Sequence, residues 1–211
     1  MVKNKIVPAI IAKSQEELDK RIDKVKDYFE ILQLDVMDGI FVPTHSIDFD
    51  FKLPKTKCRY EAHLMVDNPY EWIVKNNEAA DIFLVHIESC REPEKVIGLV
   101  RSKGKKIGFV INPKTPLEKI KPYLDRIDQV LVMTVDPGYY GSPFLPEALD
   151  KVRELRELKP GLDIEVDGGI NADTIKKAYQ AGANLFVCGS YLQKSGDVKK
   201  AAEGLEKAYL N

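Results

Sequence analysis

The stretch that decides the fold reads Gln33-Leu34-Asp35-Val36-Met37-Asp38-Gly39. It continues an apolar run that begins at residue 31, and it ends at Asp-Gly, a dipeptide typical of turns. Alternate side chains of a strand share a face, so Gln33, Asp35 and Met37 point one way and the apolar pair between them points the other. If that apolar pair packs under helices, the polar side chains face the middle of the protein. A buried carboxylate is costly alone, so Asp35 needs a partner, a metal, a proton or a chemical role.

The bulk composition indicates one globular domain over residues 1–211. The chain has 211 residues, of which 44% are hydrophobic, which allows one sizeable core but not two comfortable domains. Its 32 basic and 33 acidic residues leave a net charge of −1, so we expect no nucleic acid and no membrane as a partner. The sequence shows no signal peptide and no paired spacing among Cys58, Cys90 and Cys188. We therefore expect a soluble cytoplasmic protein with free thiols.

Short apolar strands alternate with helical segments along the chain. The strands are predicted at residues 6–11, 31–37, 60–65, 82–86, 107–111, 129–134, 163–167 and 185–188. The helices are predicted at residues 14–28, 68–75, 92–103, 146–158, 172–181 and 198–209, with a short helix after Pro116 and a loop over residues 38–54. This alternation is typical of a parallel sheet that is covered on both faces. Eight such strands in a chain of this size favour a single (β/α)8 TIM barrel, an α/β fold.

An open, doubly wound sheet is the rival architecture. It usually carries a glycine-rich fingerprint in its first strand-to-helix turn. Residues 12–14 read Ala-Lys-Ser instead, so the barrel is the preferred prediction.

Polar residues recur at the predicted strand ends, where barrel enzymes place their catalytic side chains. Asp35 and Asp167 are carboxylates that are predicted to face inward, and they have no inexpensive structural explanation. His63 lies near the end of the third strand, and His86 and Glu88 end the fourth. A lone histidine at such a place is more often a hydrogen-bonded structural residue than a metal ligand. The repetition of polar strand ends, however, indicates a functional site.

Glycines after the last two strands predict a phosphate site. Gly168 and Gly169 lead directly into a helix, and Gly189 and Ser190 follow the eighth strand. Barrel enzymes often bind phosphate with backbone amides of these two loops, aided by helix N-termini. Glycine pairs are mostly turns, but their place after the last two barrel strands favours a phosphorylated substrate.

Five segments carry a resemblance that spans the chain from Pro8 to Ser190. They are residues 34–39 (Leu-Asp-Val-Met-Asp-Gly), 63–65 (His-Leu-Met), 112–116 (Asn-Pro-Lys-Thr-Pro), 132–138 (Val-Met-Thr-Val-Asp-Pro-Gly) and 164–170 (Ile-Glu-Val-Asp-Gly-Gly-Ile). In this order they resemble the ribulose-phosphate 3-epimerase family, and the last two segments together are the most specific. The family fold is a TIM barrel of the ribulose-phosphate binding type, in agreement with the strand pattern.

The resemblance implies an isomerase that interconverts D-ribulose 5-phosphate and D-xylulose 5-phosphate, and a homo-oligomer. In the family, two aspartates move the C3 proton on opposite faces of the substrate, and Asp35 and Asp167 match them. The same aspartates and two histidine positions, matched by His63 and Gln33, hold one divalent metal (Zn, Fe, Mn or Co) that stabilises the enediolate. The family's substrate- and phosphate-binding positions are matched by Met37, Met65, Met133, Gly141, Ser142, Gly168, Gly169, Gly189 and Ser190.

The departures from the family pattern lie in the predicted site. Gln33 stands where the family has its first metal histidine, and its amide oxygen is a neutral, hard ligand. The other departures are Ala9, Ile40, Thr44 and Tyr140. Three interpretations follow: an active epimerase with an altered metal site, a 3-epimerase of another ketose phosphate such as D-allulose 6-phosphate, and a non-catalytic sugar-phosphate-binding protein. Because both aspartates, the second histidine and all three methionines are retained, we rank the interpretations in that order.

Overall fold

Nine strands form the sheet of the computed structural model, which describes residues 5–138 and 141–210. They are β1 (Lys5–Ile10), β2 (Ile31–Asp38), β3 (His45–Ser46), β4 (Arg59–Met65), β5 (Ile82–His86), β6 (Lys106–Ile111), β7 (Gln129–Met133), β8 (Asp163–Asp167) and β9 (Leu185–Cys188). The short β3 pairs antiparallel with β2, and the other eight strands are parallel. Pairing of β1 with both β2 and β9 closes those eight strands into a barrel. The predicted TIM barrel is therefore confirmed.

Helices connect the strands and cover the outside of the barrel. They are α1 (Gln15–Val25), α2 (Pro69–Asn76), α3 (Pro93–Ser102), α4 (Leu149–Leu158), α5 (Ala172–Ala181), α6 (Ser190–Gln193) and α7 (Val198–Leu210). The longer helices bury one apolar stripe each; in α1 it consists of Leu18, Ile22 and Val25. Within the described part of the chain, none of the helices is both long and apolar enough to cross a bilayer.

Three elements differ from the sequence-based prediction. The loop predicted over residues 38–54 contains β3, which is too short to show an alternating pattern; Ser46 Oγ accepts a hydrogen bond from the Ala12 N–H at 3.1 Å. The helix predicted after Pro116 is a pair of 3₁₀ turns, Leu117–Lys119 and Lys121–Tyr123, because a proline within the segment removes an N–H donor. Helix α6 was not predicted, since four residues do not show a helical period.

Alternation along the strands separates two apolar regions. Strand residues such as Leu34 and Leu64 are fully buried in the main core, which also contains the apolar stripes of the helices. A smaller cluster, which includes Leu84, Val110 and Leu131, contains none of those helix residues. Polar side chains replace apolar ones toward the carboxyl ends of several strands, and this end of the barrel holds the site.

The register of the strands brings predicted site residues side by side. Asp35 of β2 is paired with His63 of β4. On the other side of the barrel, Met133 of β7 is paired with Asp167 of β8. Parallel pairing fixes these neighbours through the backbone, so the relative height of the side chains does not depend on flexible loops.

Helix α5, which follows the predicted phosphate loop, begins with a reciprocal cap. The Asn171 side-chain oxygen accepts from the N–H groups of Asp173 and Thr174 at 2.9 and 3.2 Å, and Thr174 Oγ1 accepts from the Asn171 N–H at 2.9 Å. Asn171→Ala leaves two N–H donors without this partner, so we expect the free energy of unfolding to fall by about 1 kcal/mol. Urea denaturation measures the change. Asn77→Ala is the control, because the Asn77 amide donates only one exposed hydrogen bond, to Val74 O; an equal loss in both variants would contradict the cap.

Candidate active site

Three side chains from different strands converge inside the barrel near its carboxyl end. Asp35 comes from β2, His63 from β4 and Asp167 from β8. The Nδ1 atom of His63 lies 3.3 Å from Asp35 Oδ1 and 3.3 Å from Asp167 Oδ2. The three residues offer possible metal-ligand atoms that all lie within 4.8 Å of one another. The strand ends that the sequence analysis singled out thus meet at one point, which we call the central cluster.

The carboxamide of Gln33 lies within the central cluster and is fully buried. Its Nε2 donates to Asp35 Oδ1 at 2.8 Å and to Asp167 Oδ2 at 3.0 Å, and it lies 3.4 Å from His63 Nδ1. Its Oε1 is buried and has no hydrogen-bond partner among the described residues. A half-turn of the carboxamide exchanges these two atoms and directs the oxygen toward the carboxylates, an arrangement that is favourable only with a cation between them. Three oxygens and one imidazole nitrogen form a donor set that fits a divalent cation.

Burial and charge shift the titration of this cluster in a concerted way. Burial raises the pKa of Asp35, and the charge of Asp167 adds to that effect, against the hydrogen bond with His63. Burial by itself lowers the pKa of His63, but the hydrogen bonds and charges of Asp167 and Asp35 outweigh it and raise that pKa to about 9. Without a metal, the arrangement therefore favours an imidazolium between the two carboxyl groups.

A second histidine and a glutamate extend the cluster toward the rim of the barrel. His86 ends β5, and its Nε2 lies 2.9 Å from His63 Nε2, while its Nδ1 lies 3.3 Å from Glu88 Oε2. Burial lowers the pKa of His86 to about 4. Burial opposes ionisation of Glu88, but hydrogen bonds from His86, Thr115 and Asn112 outweigh it and lower the Glu88 pKa. The sequence analysis gave His86 no role; the signal was its inward parity with Leu84 on the same strand.

A second polar layer lies below the central cluster. Glu61 and Glu165 stand two residues before His63 and Asp167 on their strands, so they share the inward face, and both are fully buried. Gln129 Nε2 donates to Glu165 Oε2 at 2.6 Å. Burial raises the pKa of Glu61 to about 7 and raises the pKa of Glu165 well above its usual value. This layer therefore favours neutral carboxyl groups beneath the charged ones.

An open cavity lies above the central cluster. The predicted site residues that line it are Asp35, Met37, Met65, Met133, Gly141, Ser142, Asp167, Gly168, Gly169, Gly189 and Ser190. Gln33 and His63 are fully buried and do not line it. The sequence analysis missed Ile11, Val135 and Val187, which complete the wall and carry no chemical signal in the sequence.

The other departures from the family pattern have different positions. Ala9 lines the cavity. Thr44 Oγ1 donates to Gly138 O at 3.0 Å and lies 3.0 Å from the sulfur of Met37, so it contacts two lining residues from outside. Ile40 is 76% exposed and does not line the cavity. Tyr140 lies outside the described residues.

Gly168 joins the end of β8 to the predicted phosphate loop in a conformation that favours glycine. Its φ is +117°, and a Cβ at this position would lie 2.4 Å from Val135 Cγ2. We expect Gly168→Ala to reduce the free energy of unfolding by about 1–3 kcal/mol through backbone strain, as measured by urea denaturation. Gly161→Ala is the matched control, because an added Cβ there meets nothing within 4 Å. Equal stability of the two variants would show that the strain is absent.

Comparison with known proteins identifies the family. The chain matches the Ribulose-phosphate 3 epimerase family over residues 5–193. Ribulose-phosphate 3-epimerase from Bacillus subtilis (strain 168) is 38% identical, with 93% of this chain and 95% of that protein covered. The cytoplasmic isoform from Oryza sativa subsp. japonica is 37% identical, with 97% and 93% covered. The structure of KGPDC from Streptococcus mutans in complex with a phosphorylated pentose has the same fold, with a TM-score of 0.69, 15% identity, and 98% and 97% covered. The chain therefore belongs to the ribulose-phosphate 3-epimerase family, a family of enzymes.

Proposed function

We propose that this enzyme interconverts D-ribulose 5-phosphate and D-xylulose 5-phosphate by moving the proton on C3. The observation that carries the proposal is the pair of carboxyl groups, Asp35 and Asp167, which border one cavity and both approach the same nitrogen of His63. The names of the two relatives support this reaction. The pentose phosphate complex of a protein with the same fold supports a phosphorylated sugar as the substrate class. Neither the other ketose phosphate nor the non-catalytic interpretation gains support from these observations.

Two carboxyl groups can exchange the C3 proton if one acts as base on one face and the other as acid on the opposite face. Asp35 and Asp167 belong to β2 and β8, which do not pair with each other, so the two groups border the cavity from separate parts of the barrel wall. A general base works best when its pKa is close to the working pH. The raised pKa of Asp35 moves this carboxyl group in that direction.

The three methionines give the reaction centre its apolar wall. Met37, Met65 and Met133 all line the cavity above the aspartates, and each is at least 95% buried. Apolar side chains exclude water from a reacting centre and strengthen electrostatic interactions there. We assign them the role of shielding the enediolate that forms when the C3 proton leaves.

The glycine-rich loops after β8 and β9 form the proposed phosphate site. Gly168, Gly169, Gly189 and Ser190 line the cavity together with Gly141. Gly141, Gly168 and Gly169 have φ values of +84°, +117° and +66°. Such backbone leaves no Cβ between the amide groups and an anion, so several N–H donors can approach a phosphate at once.

A divalent cation (Zn, Fe, Mn or Co) is the proposed cofactor of the central cluster. Asp35, His63, Asp167 and the Gln33 carboxamide oxygen would hold it, and the unpartnered Oε1 of Gln33 supports this assignment. When bound, such an ion supplies electrostatic stabilisation of the negative charge that develops on the substrate oxygens. The chain contributes the two proton-transferring carboxylates and the dry wall around them.

A homo-oligomer in the cytoplasm completes the proposal. Ile40, an apolar residue between β2 and β3, is 76% exposed and suits contact with a second copy of the chain. The rice relative is named a cytoplasmic isoform.

The two-base reaction is tested by solvent exchange at C3. We expect the wild-type protein to incorporate deuterium from D₂O into D-ribulose 5-phosphate, and Asp35→Asn and Asp167→Asn each to abolish the incorporation, because an amide cannot accept the proton. Mass spectrometry of the recovered sugar phosphate measures it. Asp150→Asn is the control, since the Asp150 side chain is 78% exposed. Absence of exchange by wild-type protein supplied with Zn²⁺, Mn²⁺, Fe²⁺ or Co²⁺ would refute the proposed function.

The role of Gln33 is tested by restoring the imidazole of the family. Gln33→His replaces an amide oxygen with a nitrogen ligand that zinc prefers, so we expect tighter Zn²⁺ binding in a competition with a chelating dye. Gln129→His controls for placing a histidine in the barrel interior, because Gln129 contacts Glu165 rather than the central cluster. An unchanged zinc affinity in Gln33→His would show that Gln33 is not a ligand.

A further inference from the structure

A buried chain of three side chains leads from the central cluster to the rim of the barrel. It consists of His63, His86 and Glu88, joined by contacts of 2.9 Å (Nε2 to Nε2) and 3.3 Å (Nδ1 to Oε2). The ring centres of the two histidines lie 5.1 Å apart at an interplanar angle of 18°. At this nitrogen–nitrogen distance, such a separation requires that the two rings meet edge to edge and nearly coplanar. This is the geometry of an N–H···N hydrogen bond.

The direction of the chain is determined at Glu88. Glu88 Oε1 accepts the Asn112 N–H at 2.8 Å and the hydroxyl of Thr115, so this carboxylate is held by two donors on its outer oxygen. An ionised carboxylate only accepts hydrogen bonds, so the proton between Glu88 and His86 belongs to His86 Nδ1. A neutral imidazole carries one proton, which leaves His86 Nε2 as a bare acceptor facing His63.

His63 must therefore donate from its own Nε2. If His63 is neutral, its Nδ1 has a free lone pair, and this is the nitrogen that lies 3.3 Å from both Asp35 Oδ1 and Asp167 Oδ2. If His63 is protonated, the Nε2–H remains and the bond to His86 keeps its direction. The opposite direction would put a proton permanently on Nδ1 and would prevent this nitrogen from binding a cation.

We propose that Glu88 and His86 are positioning residues that keep a proton on Nε2 of His63, so that Nδ1 is reserved for the central cluster. Ligating histidines commonly donate their second ring nitrogen to a carboxylate or a carbonyl group. Here a second histidine takes that place and transmits the preference of a carboxylate near the barrel rim. The metal-ligand role of Nδ1 rests on the proposed function, whereas the proton positions do not.

The proton positions are tested by nitrogen NMR of protein that carries ¹⁵N-labelled histidine. The chain has three histidines, and His45, whose side chain is 60% exposed, is an internal reference away from the site. We expect a protonated Nε2 in His63, a bare Nε2 in His86 and a scalar coupling between these two nitrogens, both in metal-free and in Zn²⁺-loaded protein. A proton on His86 Nε2 facing a bare His63 Nε2 would overturn the proposal.

Two substitutions of His86 separate positioning from packing. In His86→Gln the amide oxygen can still accept the His63 Nε2–H, whereas His86→Leu leaves this donor buried without a partner. We expect zinc affinity, measured by chelator competition, to fall about 10–100-fold in His86→Leu and clearly less in His86→Gln. Equal zinc affinities in the two variants would assign His86 a packing role only and contradict the proposal.

Glu88→Gln tests the source of the direction. The new amide can present an N–H to His86 Nδ1, which moves the His86 proton to Nε2 and reverses the chain. We expect the His63 and His86 signals to change accordingly and zinc affinity to fall, with Glu92→Gln, an exposed substitution, as the control. Unchanged nitrogen signals in a folded Glu88→Gln protein would overturn the proposal. Wild-type protein that shows the expected signals but no deuterium exchange would refute the proposed function alone.

Discussion

The structure depends on two carboxyl groups that are brought to one imidazole nitrogen inside a barrel. Removing each charge from water costs several kcal/mol, and this cost is offset only where each oxygen finds a donor or a cation. His63 and the Gln33 carboxamide supply those donors. The deeper Glu61 and Glu165 add little further negative charge, because burial raises their pKa values. The polar interior is thus built around compensation of Asp35 and Asp167.

Strand register turns this compensation into a precise site. The β2–β4 pairing sets Asp35 beside His63 and, two residues on, Met37 beside Met65. Each two-residue step keeps the inward face, so acid–base groups and their apolar cover lie in successive layers. The barrel wall therefore fixes the heights of these groups, while the loops after β8 and β9 have only to provide the phosphate contacts. This division is typical of barrel enzymes.

Much of this arrangement was accessible from the sequence, because it depends on local patterns. Apolar runs gave the strands, and parity along them indicated that Asp35 and Asp167 face inward. Other features depend on contacts between distant segments. The turns after Pro116 and the short β3 carry too few residues for a periodic signal. The contact of His86 with His63 and the place of the Gln33 amide between two carboxyl groups arise only when the strands close in register, and no single segment contains that information.

Closure of the barrel through β1 has a consequence for synthesis of the chain. The first strand pairs with the last, Lys5 with Leu185, so about 180 residues separate the two partners. At roughly 5–20 residues per second, the ribosome needs on the order of ten seconds or more to deliver β9 after β1. During that time the edge of β1 that will face β9 presents unpaired backbone groups, which is the kind of surface that promotes aggregation. Protection of the nascent amino-terminal strand, rather than formation of the site, is thus the demand that this topology places on the cell.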